Sequence, residues 1–302
     1  WRVDWPMRWC HEQTVFEPAG KDHHSQGGSF DTARLVSKEI YGWDAPVTFR
    51  YDFIGLKGTL GKMSSSKGTV IDLRELLRVY QPELARYLFA STRPNTEFVI
   101  SFDLDVIKIY EDYDKTERIA CGLEKAKNDE TFAKERRIYE LSQVGEVPST
   151  ASYQIPFRHL CNLLQTNDGD ADAVIASLPD VKSEQLERLQ ARAKCAWYWI
   201  TECAPEEFRF ALRKDGSKAE LSGPALEAVK KIRDEVLPKM DGVDEKGLGE
   251  LVYAVAAECG IESKALFNAT YQALIAKDQG PRLASFMKII GRDRLAKILA
   301  VY

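Results

Sequence analysis

Thr14-Val15-Phe16-Glu17-Pro18, then Gly20-Lys21-Asp22-His23-His24 and the pair Gly27-Gly28, is the stretch on which the fold class turns. The first five residues are β-branched or aromatic enough for a short strand, and a glycine-bearing loop comes next. Ser29 is placed to cap a helix whose apolar positions are Phe30, Ala33, Leu35, Val36 and Ile40, with a stop near Gly42. Val47 to Ile54 then reads as a second strand. Strand, glycine loop, helix and strand make one doubly wound unit, and such sheets bind ligands at the carboxyl ends of their strands.

Downstream the character changes. Asp72 is a cap for a helix over 73–80, and Pro82 opens another that reaches Ala90. Arg93-Pro94-Asn95 breaks the pattern, and a long amphipathic stretch runs from Asp103 to about Lys127. Further helices are predicted over 131–142, 156–165, 183–203, 224–236, 247–259, 263–277, 282–290 and 294–301. The polar, proline-containing segment 145–152 is the candidate linker. The reading is α/β plus all-α: a partial Rossmann-type fold followed by a helical remainder.

Composition bounds the classes. The 302 residues suffice for two or three cores, and 44% hydrophobic with 29% charged residues is an ordinary globular balance. No apolar run approaches the ~18 residues of a membrane span, so no membrane partner is expected. The start at Trp1 lacks the apolar core of a signal peptide, and a first residue other than Met leads to the expectation of a fragment. The six cysteines form no C-x-x-C pair, which reads as reduced thiols of a cytoplasmic protein, with no zinc site in this segment. A net charge of −4 does not advertise nucleic-acid binding, but residues 277–297 gather Lys277, Arg282, Lys288, Arg292, Arg294 and Lys297 against two aspartates.

Between strand and capped helix lies Lys62-Met63-Ser64-Ser65-Ser66-Lys67-Gly68. It is not a P-loop, because Leu56 and Met63 stand where that motif needs Gly and Ser or Thr. Nor do Gly55, Gly58 and Gly61 match the dinucleotide spacing. Composition alone suits a solvated turn. Two ammonium groups among three hydroxyls suit a polyphosphate whose charge is stabilised as it leaves.

The order of those residues resembles the KMSKS loop of class I aminoacyl-tRNA synthetases. Trp5-Pro6-Met7-Arg8-Trp9, Phe16 to His23 and Lys62 to Gly68 are together similar to consecutive signatures of the class I lysyl-tRNA synthetase family. Arg93-Pro94-Asn95, 113–118 and Gly280-Pro281-Arg282 fall where that family carries similar runs. Two positions depart: Ser65 replaces the usual lysine, with Lys67 its natural substitute, and Thr69 replaces a common Asn.

The resemblance implies a cytoplasmic lysine-tRNA ligase that uses ATP with Mg2+ and whose partners are lysine and tRNA(Lys). It implies that residues 1–61 are the C-terminal half of the catalytic Rossmann domain, 62–147 the loop and stem-contact region, and 148–302 an α-helical anticodon-binding domain. Lys62 and Lys67, with Ser64, Ser65 and Ser66, would stabilise departing pyrophosphate. Gly20 and Asp22 would meet the ribose. Trp1, Asp4, His23 and Tyr51 would hold the lysine substrate; His24 is given no role. Arg282, Lys288, Arg292 and Arg294, with Phe286, are candidates for contacts to tRNA phosphates or bases. No HIGH-type motif occurs in the chain, so the expected active site is half of one, and the chain is expected to be inactive alone. The alternatives are another class I synthetase of glutamyl or arginyl type, a non-catalytic tRNA-binding module, and a generic nucleotide-binding regulator.

Overall fold

The computed structural model describes residues 2–58 and 71–302. It is mostly helical with a few short strands, and it divides into two units, Trp1–Ser149 and Thr150–Tyr302. Among the described residues no helix is long and apolar enough to cross a membrane.

The first unit opens with helix α1 (Asp4–His11), which the sequence reading missed. Strand β1 (Ala19–Gly20) pairs in parallel with β2 (Arg50–Tyr51) across helix α2 (Ser29–Tyr41). The hydrogen-bonded ladder is longer than the strands. Glu17, Ala19 and Lys21 donate from their backbone N–H to Val47, Phe49 and Tyr51 carbonyls at 3.0, 3.1 and 2.9 Å. Pro18, which has no N–H, falls on the side of the strand facing away from that partner. Ser29 is not the cap of α2: Gly28 holds that position without a side-chain bond. The helix ends, as expected, at Gly42 in the left-handed region (φ +62°).

The strand expected over 47–54 is broken in two. At Asp52 the chain leaves its partner: the Asp52 N–H donates to the Pro94 carbonyl at 2.8 Å, and its carboxylate accepts from Phe53 N–H at 2.8 Å. Strand β3 (Ile54–Leu56) then pairs in parallel with β4 (Phe98–Ile100), reached through helices α3 (Leu73–Val79) and α4 (Pro82–Ala90). Asp72 caps α3, accepting from Glu75 N–H at 2.8 Å, and Pro82 opens α4.

Helix α5 (Asp105–Ala120) stops short of Lys127. Gly122 is left-handed (φ +75°), and the N–H groups of Gly122 and Leu123 return to the Ile119 and Arg118 carbonyls at 3.1 and 2.8 Å. That is a Schellman ending, signalled by one glycine inside an otherwise amphipathic run. Helix α6 (Asp129–Ser142), capped by Asn128, packs on α5. Their core is rich in tyrosine: Tyr80 and Tyr110 are fully buried, and their hydroxyls donate to the Ser101 and Val79 carbonyls at 2.5 and 2.9 Å.

At the entry to α5, Asp103 accepts from Asp105 N–H at 3.0 Å and from Ser101 Oγ at 2.7 Å, and pairs with Lys57 at 2.7 Å. Burial pushes the Asp103 carboxyl up, but these three contacts together outweigh it and hold the group at about 2. An unfolded aspartate titrates near ~3.9. The contribution to stability is therefore complete above about pH 4 and is lost as pH falls towards about 2. Thermal midpoints of Asp103→Asn and the parent chain are expected to differ at pH 5 and to draw together as pH falls through about 2. A gap as wide at pH 2 as at pH 5 contradicts this.

The second unit is all helical: α7 (Phe157–Thr166), α8 (Ala171–Ser177), α9 (Leu186–Tyr198), α10 (Gly223–Lys231), α11 (Glu245–Glu258), α12 (Ser263–Ile275), α13 (Leu283–Ile290) and α14 (Arg292–Leu299). Helix α10 runs on as a π turn over Ile232–Val236 and a 3-10 turn over Leu237–Gly242. Pro238, which has no N–H to donate, lies at the junction of the two. The core around Leu248, Leu266, Leu274, Phe286 and Leu295 is closed to solvent.

Candidate functional site

The carboxyl end of β1 delivers the chain into the loop 20–28. The His23 N–H donates to the Gly20 carbonyl, and the His23 carbonyl accepts from Phe30 N–H, both at 3.0 Å, so the loop folds back onto the first turn of α2. Gly20 sits against Tyr51: a Cβ there would stand 3.4 Å from the tyrosine ring. Gly28 is more tightly held. A Cβ would lie 2.7 Å from the carbonyl oxygens of both His23 and Ser25, and backbone atoms have little room to yield. Gly28→Ala is expected to cost about 1–3 kcal/mol, as overpacking generally does. Chemical denaturation measures it, and a loss under about 0.5 kcal/mol would show that the turn is plastic.

His24 is structural. Its Nδ1 faces the Gly20 carbonyl at 3.2 Å, and Nε2 meets Thr48 Oγ1 at 3.1 Å. The ring stacks on Phe30 with centroids 4.8 Å apart. His23 is exposed and differently employed. Its Nδ1 meets Ser29 Oγ at 2.5 Å and its ring is edge-on to Trp5 at 5.7 Å. Asp22 is exposed, and its carbonyl accepts from Ser25 Oγ. Lys21 ties the loop to the next strand pair. Its ammonium lies 2.6 Å from Asp52, 3.7 Å from Glu97 and 4.7 Å from the centre of the Phe53 ring. The hydrogen bond from Lys21 first, then that from Phe53 N–H, holds the Asp52 carboxyl below the usual range.

A cavity of about 650 Å³ opens beside this loop, lined by Asp4, Trp5, Arg8, His23, Gly27, Gly28 and Ser29. Asp4 and His23, far apart in sequence, share it. Tyr51 and Gly20 adjoin each other but do not line it. Trp1, Lys62, Ser64, Ser65, Ser66 and Lys67 lie outside the described residues. Trp5 and Arg8 were not expected. The signal for them was the i,i+4 pairing of Asp4 with Arg8, 3.3 Å apart on α1, a helix the sequence reading left unassigned. The cavity thus offers a carboxylate, a guanidinium, an indole and the N-terminal end of α2, with its partial positive charge. Such a set binds a small ligand that carries charges of both signs.

In the second unit the four cations proposed for tRNA contact have different employments. Lys288 donates to the Met240 carbonyl and to that of Val243 at 2.7 Å. Arg292 pairs with Asp241 at 2.9 Å. Arg294 donates to the Thr166 carbonyl and lies 3.8 Å from Asp168. Arg282 is exposed, has no ion-pair partner among the described residues, and lines a groove of about 690 Å³ with Tyr253, Phe267 and Tyr271. Phe286 cannot stack on a base: it is fully buried, edge-on to Phe210. Its place in the apolar stripe of α13 put it in the core. Among the described residues no three His, Cys, Asp or Glu side chains are grouped to hold a metal ion.

Residues 1–145 match the family "tRNA synthetases class I (K)". The whole chain is 60% identical to Lysine--tRNA ligase of Treponema pallidum (strain Nichols), of which it covers 57%. It is 46% identical to Lysine--tRNA ligase of Borreliella burgdorferi, again over its whole length and 58% of that protein. It is 39% identical to Lysine--tRNA ligase of Thermococcus kodakarensis, over 99% of this chain and 58% of that protein. The chain spans somewhat more than half the length of the curated relatives it matches.

Proposed function

The chain belongs to the class I lysyl-tRNA synthetase family, and from that membership we propose that it supplies part of the machinery by which lysine is activated with ATP and passed to tRNA(Lys) in the cytoplasm. Residues 1–61 contribute the C-terminal half of a Rossmann-type nucleotide fold, 62–147 the cationic loop and a helical stem-contact region, and 148–302 the anticodon-binding helices. The observation that carries the proposal is 60% identity to a lysine-tRNA ligase over the whole chain.

The chemistry rests on the residues. The carboxylate of the lysine substrate attacks the α-phosphorus of ATP and pyrophosphate leaves; the 2′-OH of the terminal ribose of the tRNA then attacks the lysyl carbonyl, the acyl–phosphate bond breaks, and AMP leaves. No general base is needed in the first step, because the nucleophile is already ionised. Catalysis is positioning plus charge stabilisation. Asp4 faces the ammonium of the substrate side chain beside His23, and Trp1 and Tyr51, the latter outside the cavity that Asp4 and His23 share, are the further lysine-binding candidates. Gly20 lets the backbone approach the ribose and Asp22 accepts from its hydroxyls. Lys62 and Lys67 neutralise the β- and γ-phosphates, with Ser64 to Ser66 as added donors, and Mg2+ enters with the ATP. The lysine-tRNA ligases matched along the whole chain favour this reading over a glutamyl-type enzyme.

Lysine-dependent ATP–pyrophosphate exchange separates the parts. A protein of the relatives' full length that contains this chain is expected to exchange. The 302-residue chain alone is expected to be silent while still binding tRNA with a steep salt dependence. Exchange by the isolated chain would mean that no further half of the site is required.

A further inference from the structure

We propose that Glu17 is a positioning residue whose two carboxylate oxygens set the rotation of α1, and with it the substrate-facing edge of the cavity. Glu17 is half-buried on the β1 ladder. Its Oε1 accepts from the Trp5 indole N–H at 3.2 Å and its Oε2 from that of Trp9. One carboxylate thus satisfies two indoles, which a neutral amide cannot do in the same way, because an amide has one acceptor oxygen.

The geometry of a helix carries the rest. Trp5 and Trp9 are four residues apart and share one face of α1. Asp4 and Arg8 share the adjoining face, one residue or about 100° round the helix. Trp9 is buried, with its ring 5.4 Å from Phe30, and Trp5 lies 5.0 Å from Trp9 and 5.7 Å from His23. Helix α1 has only eight residues and no side-chain cap, so its own hydrogen bonds hold it weakly. The two indoles fixed on Glu17 therefore decide how far Asp4 and Arg8 project into the cavity that Trp5 walls.

This inference rests on the lysine reading of that cavity. The test is Glu17→Gln in the full-length protein, alone and combined with Trp5→Phe, read by pyrophosphate exchange and near-ultraviolet circular dichroism. Glu17→Gln is expected to raise the KM for lysine about three- to tenfold, the effect of one indole N–H left without its acceptor. The KM for ATP and kcat should stay within about twofold, and the tryptophan dichroism should change. In the Trp5→Phe background the same change should add less than about twofold. An altered dichroism with an unmoved lysine KM overturns the proposal, as does an equal shift of every kinetic parameter. If the parent protein exchanges with glutamate or arginine instead, the lysine reading itself falls and takes this inference with it.

Discussion

Lys62→Ala and Lys67→Ala, made separately in the full-length protein, are each expected to slow lysyl-adenylate formation about 10²–10³-fold, which is ~2–4 kcal/mol of lost charge stabilisation. In the proposed role the two ammonium groups act on charge that develops as the bond to the α-phosphate breaks, so the loss would belong to the chemical step. Lysine affinity should change little, because the proposal gives neither residue a role in holding the amino acid. A single-turnover rate read beside a lysine titration separates the two quantities. Equal losses in rate and in lysine binding would argue that the loop has only a general structural role.

Phe286→Ala carries the largest expected effect on stability. The ring is fully buried in the core of the second unit, against Phe210 and in the cluster that holds Leu248, Leu266 and Leu274. Deleting a buried phenylalanine side chain costs about 3–5 kcal/mol, lost transfer energy plus the cavity left behind. Urea denaturation monitored in the second unit should show the midpoint falling with the slope unchanged. Below the new midpoint, tRNA affinity should stay within about threefold of the parent, because a core ring touches no base. A variant that keeps its stability but loses tRNA would restore Phe286 as a contact residue.

The same residue shows where sequence reading succeeds and fails. The period of α13 placed a helix over 282–290, and that period also points Phe286 inward. Composition, by grouping it with neighbouring cations, had pointed it outward. Lys288, Arg292 and Arg294 met a related difficulty. A basic run suits a nucleic-acid face, but its charges also satisfy carbonyls at helix ends, and no local pattern tells the two apart. Caps and breakers were legible because one residue carries the physics, as with Asp72, Pro82 and Gly42. The break at Asp52 was not legible, because it depends on Pro94, some forty residues on. Helix α1 was missed for a similar reason. Its tryptophans were noted only within a family signature, and the partners that fix them, Glu17 and Phe30, come from elsewhere in the chain. Asp4 and His23 were named by resemblance, and what brings them to one cavity is the turn that Gly28 permits.

The most direct measurement is amino-acid-dependent ATP–pyrophosphate exchange by the full-length protein, run in parallel with lysine, glutamate and arginine. Identity to lysine-tRNA ligases along the whole chain predicts exchange with lysine alone. Exchange driven by glutamate or arginine, with none from lysine, would contradict it.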